Sequence, residues 1–443
     1  MHKKTVFFLA VFLLFFALFL AGAQAGGGIS LSFHDTLRIV DEKNAEILMA
    51  KDHIEQALAR VTQAQSYFFP EISGTVSENR QTANLESFGI PKTSSSAPSV
   101  VGPFNVFDAR VHVTQTLFDL SMIRRFQAAL ATGDVSKAEL RKIKEDVLAL
   151  AGTEFVQARR AQSRVEFAKE YLRLAVSRER ILRQRLGLGV ASVTEAQNAK
   201  AELSQARYLW RSSTADASAS LLDLKLTLGF SAGQELSLQE EGINTISLPA
   251  SSQIAQSAQK HPDVIASSAR QKQEQAQEAA EKASFLPSIE GTANYGANGK
   301  DVDSAKQTYV FGAQALWNFF DFGRRDARVH EASSRAGKAK TNFSQTLREK
   351  ESKIYEAKDS FKNAEKFLTA KKDQWSYEQN SYETVKNKFQ NGSASRLDLI
   401  AASASLARSS DELEEAKSLY RISQINLYHA LGQMQKFLED KKS

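Results

Sequence analysis

The stretch Phe389–Gly432, FQNGSASRLDLIAASASLARSSDELEEAKSLYRISQINLYHALG, occurs twice in this chain. Moved back by 203 positions, it lies without a gap on Leu186–Gly229, LGLGVASVTEAQNAKAELSQARYLWRSSTADASASLLDLKLTLG. Gly392 then meets Gly189, Asp398 meets Glu195, Leu406 meets Leu203 and Gly432 meets Gly229. In the later copy Leu399, Leu406, Leu413, Tyr420 and Leu427 recur every seven residues. Each is followed three places on by a small residue, in turn Ala402, Ser409, Ala416, Ser423 and Ala430. The earlier copy repeats this with Ala196, Leu203, Trp210, Ala217 and Leu224, and with Ala199, Ala206, Ser213, Ser220 and Thr227. Such a spacing is a coiled-coil seam of large and small knobs. A repeat of this period decides the architecture before any local assignment does.

Composition narrows what surrounds it. The seven prolines leave Pro103 to Pro249 and everything after Pro287 free of the strongest helix breaker. The absence of cysteine excludes disulfides, thiolate catalysis and Cys-ligated metals, and with them the acylated cysteine of a lipoprotein. A net charge of +6 raises the question of nucleic acid. The basic residues, however, are spread along helical stretches beside nearly as many acids, so no nucleic-acid partner is expected. Runs such as Arg159–Arg185 read as solvated helix faces. Residues 1–25 read as a secretory signal, with Lys3 and Lys4, an uncharged run from Thr5 to about Ala21, and Ala23-Gln24-Ala25 as the cleavage site. The competing reading is an uncleaved inner-membrane anchor. No later apolar run is long enough to span a bilayer as a helix, so a second crossing would require a β-barrel.

Taken in order, residues 26–230 form a first repeat and 251–432 a second, with a polar linker at 231–250 and a charged tail at 433–443. Ile29 to about Tyr67 has helical spacing, with Ser32 or Asp35 as a cap, and ends at Phe69-Pro70. Period-two alternation predicts strands at about 71–80 and 107–118, separated by an exposed loop from Gln81 to Phe104. A helix follows over about 122–186, about 100 Å long at 1.5 Å per residue, and a return helix over 192–228. The second half repeats the plan. Ser252–Ala283 is helical apart from the His261-Pro262-Asp263 punctuation near its start, strands fall at about 288–297 and 307–320, a second rod-length helix covers 324–389, and a return helix covers 395–430. The fourth strand puts Tyr309, Phe311, Ala313, Ala315, Trp317 and Phe319 on one face. The four strands have an apolar face and a polar face, as strands of a membrane barrel do. Four of them cannot close a barrel alone, so closure must come from neighbouring subunits. The competing architecture is a water-soluble sandwich.

The two Phe-x-Pro junctions (Phe68-Phe69-Pro70 and Phe285-Leu286-Pro287), the corners at Phe118-Asp119 and Phe320-Asp321-Phe322-Gly323, and the run GVASVTEAQNAKAEL from Gly189 carry a resemblance to the TolC-type outer-membrane efflux proteins. It covers residues 29–432. The resemblance implies a mainly α chain with a membrane β-barrel portion: a homotrimer with a twelve-stranded β-barrel in outer-membrane lipid and a long α-barrel across the periplasm. It also implies a periplasmic adaptor (membrane fusion) protein and an inner-membrane pump as partners, in drug, metal or protein export. The helical turns would form the closed periplasmic entrance. Asp398 matches the family's first ring acid, whereas Ala401, Ala394 and Phe389 stand where some members have a second acid, an arginine and a tyrosine. The latch of those members is therefore not matched residue for residue. Arg396 lies two positions from Asp398, off its helix face, so that a pairing between them would run between chains. Asp398, Arg396, Phe389 and Glu195 are accordingly the gate candidates. Leu188, Gly189, Val190, Ala191, Gly392 and Ser393 are the adaptor-contact candidates. The plain alternatives are capping of helix starts by the two carboxylates and turn chemistry for the glycines.

No enzyme is expected. His53, His112, His261, His330 and His429 show no paired ligand spacing, no nucleophile motif occurs, and neither a metal nor a cofactor is called for. The reading from another class is a membrane-anchored periplasmic coiled-coil scaffold or adaptor.

Overall fold

The computed structural model describes residues 29–89, 99–239 and 250–439. The expected signal, the serine run of the first loop, half of the linker and the last four residues of the tail lie outside them. In chain order the described residues form β1 (Ile29–Leu31), α1 (Phe33–Lys43), α2 (Ala45–Ser66), β2 (Glu71–Asn84), a 3-10 turn (Leu85–Phe88), β3 (Val100–Phe118), α3 (Leu120–Gly187), α4 (Val193–Thr227) and β4 (Leu236–Leu238). They continue as α5 (Ser251–Gln259), α6 (Pro262–Ala283), β5 (Ser288–Gly299), β6 (Lys306–Leu316), α7 (Arg324–Gln390), α8 (Arg396–Ala430) and α9 (Lys436–Glu439). The chain divides into a strand-bearing unit, Ala50–Lys142 with Pro262–Glu349, and a helical unit made of the remainder.

In the strand-bearing unit, one sheet has the order β2-β3-β5-β6, antiparallel throughout. The register places Ile72 opposite Val113, Val113 opposite Ala293, and Ala293 opposite Phe311. Val76, Ala109 and Ala297 line up in the same way, as do Val111, Tyr295 and Tyr309. One apolar face therefore runs across all four strands, and much of it is exposed, Phe311 at 77 % and Val76 at 75 %. On the other face Arg110 pairs with Asp108, and His112 Nδ1 lies 2.7 Å from Asn294 Oδ1.

Two expectations about this sheet change. The first loop is shorter than Gln81–Phe104, because Ala83 and Asn84 pair with Val101 and Val100 beyond a bulge. That bulge accommodates Pro103, which has no N–H to contribute to the ladder. The fourth strand stops at Leu316 rather than Phe320. Its continuation is pulled into a corner by Arg325, which donates to the Asn318 carbonyl at 2.5 Å, to Asp321 at 2.8 Å and to the Ser284 carbonyl at 3.4 Å. Trp317 Nε1 donates to the Phe285 carbonyl at 3.0 Å.

In the helical unit, the first expected helix is interrupted. Asn44 leaves helical geometry, its Oδ1 accepting from Glu46 N at 2.9 Å while its Nδ2 donates to the Thr227 carbonyl at 2.9 Å. One side chain therefore starts α2 and closes the end of α4. Ile29–Leu31 is not helical but pairs in parallel with Leu236–Leu238, so that part of the expected linker is a strand. The expected tail folds back as well. Met434 is fully buried, and its N–H donates to Glu145 at 2.7 Å. Along α3, Leu148 and Ala151 are buried whereas Leu150 is exposed. In α4 and α8 large and small seam positions are buried together: Leu203 and Leu224 with Ala199, Ala206 and Ser213, and Leu413 and Leu427 with Ser409, Ala416 and Ser423, while Trp210 is exposed. Small residues let helices approach closely, and the large ones fill the space beside them, so the seam holds both kinds of knob.

Close approach within the helical unit is tight at Gly152, where an added β-carbon would stand 3.2 Å from the Phe33 ring and 3.4 Å from Ile425. Gly152→Val is expected to destabilise the helical unit by about 1–3 kcal/mol through overpacking. Gly337→Ala, on α7 with open space around it, is expected to stabilise by about 0.5–1 kcal/mol. Thermal unfolding followed by circular dichroism checks both signs.

Candidate functional site at the helical turns

Each rod-length helix ends on a glycine in the left-handed region, Gly189 at φ 73° and Gly392 at φ 72°. The N–H of Gly189 donates to the Leu186 carbonyl at 3.0 Å and that of Val190 to Arg185 at 2.9 Å. In the second repeat Gly392 donates to Phe389 at 3.0 Å and Ser393 to Lys388 at 2.7 Å. Both are Schellman closures, which satisfy the last carbonyls of a helix and require φ > 0 at that residue. Gly229 and Gly432 close the return helices with the same pair of bonds. Glycine at these places is fully accounted for by turn chemistry.

Three residues after each glycine comes a serine, and three after that a carboxylate. Ser192 Oγ accepts from Glu195 N at 3.2 Å while Glu195 Oε2 accepts from Ser192 N at 2.7 Å. Ser395 Oγ accepts from Asp398 N at 3.2 Å while Asp398 Oδ2 accepts from Ser395 N at 2.8 Å. These are reciprocal capping boxes, and Ser32 with Asp35 makes a third at the start of α1. The Ser-x-x-acid spacing is a legible sequence signal, and it assigns Ser192 and Ser395, which the residue-type reading of the turns passed over. Hydrogen bonds from Ser395 hold the Asp398 carboxyl below the usual aspartate range, and those from Ser192 do the same for Glu195. Both acids are thus ionised at neutral pH as well as structural.

The other candidates are distributed along the same turns. Leu188 is 78 % and Val190 61 % exposed; Gly189, Gly392 and Ser393 are also exposed, and Ala191 is half-buried. Arg396 is the first residue of α8 and exposed, and Phe389 is half-buried with its carbonyl engaged by Gly392. The structure brings together other charges that periodicity did not single out. Arg160 on α3 meets Asp411 on α8 at 2.6 Å, with Arg164 at 3.6 Å from the same carboxylate. Lys371 on α7 meets Glu412 at 2.7 Å, and Arg178 on α3 meets Glu202 on α4 at 3.0 Å. Part of the basic run expected to be solvated therefore links helices. His261 and His429, distant in sequence, also meet: His261 Nε2 lies 3.1 Å from the His429 carbonyl, and His429 Nε2 lies 2.7 Å from Asp146. No helix among the described residues is long and apolar enough to cross a membrane.

A duplicated unit of two strands and two long helices closed by glycine turns, carrying an apolar sheet face toward its surroundings, defines a membrane-channel class of chain. The chain belongs to the outer membrane efflux protein family, whose model matches residues 37–233 and 253–433. It is accordingly an outer-membrane efflux channel protein. Among solved structures, it is similar to the CmeC outer membrane channel of Campylobacter jejuni at 19 % identity and TM-score 0.79, over 92 % of this chain and 89 % of that one. It is also similar to VceC of Vibrio cholerae (17 %, TM-score 0.75, 90 % and 96 %) and to the MtrE outer membrane channel of Neisseria gonorrhoeae, solved in an open state (17 %, TM-score 0.73, 90 % and 88 %). No curated protein sequence matches.

The capping boxes predict a pH dependence at the turns. A carboxylate whose value is lowered by folding contributes stability that is present above its unfolded value and lost as pH falls through the folded one. For Asp398 that loss begins as pH drops toward and below 3.8. Ser395→Ala is expected to speed amide exchange at Asp398 about fivefold at neutral pH, N-caps of this kind contributing ~1 kcal/mol. Hydrogen exchange of the wild-type chain at pH 7 and pH 3 should show the same turn loosening in acid.

Proposed function

We propose that this protein is the passive outer-membrane conduit of a tripartite efflux or type I secretion system, working as a homotrimer with a periplasmic adaptor protein and an inner-membrane pump. The observation that carries the reading is the open sheet. β2 and β6 are both edges of a four-stranded antiparallel sheet whose apolar face is exposed. In lipid, unpaired edge groups are not tolerated, and closure is the only solution for strands. β2 and β6 run in opposite directions, so β6 of one copy joins β2 of the next as another antiparallel pair. Any number of copies keeps the alternation, and three of these four-stranded sheets give the twelve-stranded barrel of the resemblance.

In this assembly the turns at Gly189 and Gly392 lie at the periplasmic entrance. Leu188 and Val190 offer apolar contact to the adaptor, beside Gly189, Ala191, Gly392 and Ser393. Asp398 from each chain makes a ring of fixed negative charge, with Arg396 and Phe389 next to it and Glu195 on the matching turn. Capping supports the gate role, because the hydrogen bonds from Ser395 keep Asp398 ionised and aimed from a rigid helix start. The links Arg160–Asp411 and Lys371–Glu412 hold α8 against α3 and α7 behind the entrance.

Three measurements test the proposal. Heat-modifiable migration and fractionation with the outer membrane test the closed barrel. In single-channel recordings, Asp398→Asn is expected to reduce cation preference and to leave the channel able to insert; an unchanged preference would remove Asp398 from the gate.

A further inference from the structure

We propose that the corner between β6 and α7, residues Trp317 to Arg328, is a binding surface for anionic phospholipid on the periplasmic side of the membrane. Its rings would lie at the acyl boundary, and the Arg324 and Arg328 guanidinium groups would meet the headgroup phosphodiester. The inference rests on the outer-membrane channel reading and adds to it a site and a lipid class. Phe319, Phe320 and Phe322 are 80 %, 74 % and 91 % exposed. They pair with one another outside the unit's interior, Trp317 with Phe319 and Phe320 with Phe322, each at 4.7 Å between ring centroids. Phe322 also has φ 55°, a left-handed conformation that a residue with a β-carbon adopts at a cost. A side chain that is both conformationally disfavoured and bare in water gains when an apolar medium receives it. The corner directly continues β6, whose Tyr309 and Phe311 stand on the exposed apolar face of the sheet.

Charge selects the kind of lipid. Arg325 is buried against Asp321, Asn318 and Ser284, and its guanidinium stacks on Phe285 at 4.9 Å. Asp321 is thereby committed, and Arg324, its side chain 75 % exposed, reaches the same carboxylate only at 4.0 Å. Arg328 is exposed one turn later, on the face of Arg324, whereas Asp326 lies between them on another face. Two arginines in the opening turns of a helix oppose its dipole, while an anion placed there is favoured by it. Exposed aromatic rings beside guanidinium groups match the boundary between acyl chains and phosphate, where rings and snorkelling cations settle. A lipid with net negative charge, such as phosphatidylglycerol, fits this surface better than a zwitterionic one.

The test uses the full chain with Trp210→Phe and Trp375→Phe, which leaves Trp317 as the one remaining tryptophan of three. The protein is reconstituted in vesicles of phosphatidylethanolamine and phosphatidylglycerol containing lipids brominated at defined acyl depths. Trp317 fluorescence is expected to be quenched most by bromine near the glycerol end and least by bromine at the midplane. Equal or absent quenching at all depths overturns the proposal. A companion chain with Trp317→Phe and Phe311→Trp separates the causes: if its tryptophan is quenched while Trp317 is not, the corner proposal alone fails, and if neither is quenched the channel reading fails. In native mass spectrometry, Arg324→Gln with Arg328→Gln is expected to bring retained phosphatidylglycerol down to its proportion in the bulk lipid, with Arg335→Gln as a control that keeps the enrichment. Undiminished enrichment in the double variant excludes the phosphate contact.

Discussion

The main constraint on this molecule is the unpaired backbone at the two edges of its sheet. β2 and β6 each present a row of N–H and C=O groups with no strand partner among the described residues, beside an exposed apolar face. Neither water nor lipid accepts that combination, because water penalises the face and lipid penalises the edges. In the proposed assembly, closure with further copies in a bilayer satisfies both at once. The duplicated order of elements meets the same requirement, since each repeat hands two strands to the sheet.

At the turns, the fold and the proposed gate rest on the same residues. Asp398 and Glu195 complete capping boxes, and the bonds that make them good caps also keep them charged. Capping and gating are therefore compatible roles, since an acid locked to a helix start is a fixed charge rather than a mobile one. Ionic links between helices sit further along the rods, where Arg160 and Asp411 are largely shielded from solvent. There, an ion pair left without one partner would be costly, so these pairs define which helix faces meet.

Much of the architecture was legible in the residues. Heptads of Leu399 to Leu427 and their copy predicted the return helices, and proline-free spans predicted the rods. Alternation at Ile72–Val76 and Tyr309–Phe319 predicted strands, although Arg325 ends the last one at Leu316 by taking the Asn318 carbonyl. Asn44 was illegible as a break because its effect depends on the Thr227 carbonyl, 183 positions away. The strand at Leu236–Leu238 was hidden for a similar reason, its partner being Ile29–Leu31. At the turns, glycine and the acids could be read from type and spacing, and the serine three residues before each acid was available to the same reasoning. The meeting of His261 with His429, and of Arg160 with Asp411, had no local signal.

By itself the sequence determined what depends on short-range periodicity: which segments are helix or strand, which face of each is apolar, and that the plan is used twice. Local geometry repeats every 3.6 or 2 residues, so side-chain type at that spacing carries the information. The tertiary structure decided which seam residues are buried, where the elements end, how the tail folds onto Glu145, and which charges meet. Those outcomes depend on partners far away in the chain, and no local pattern encodes a partner's position.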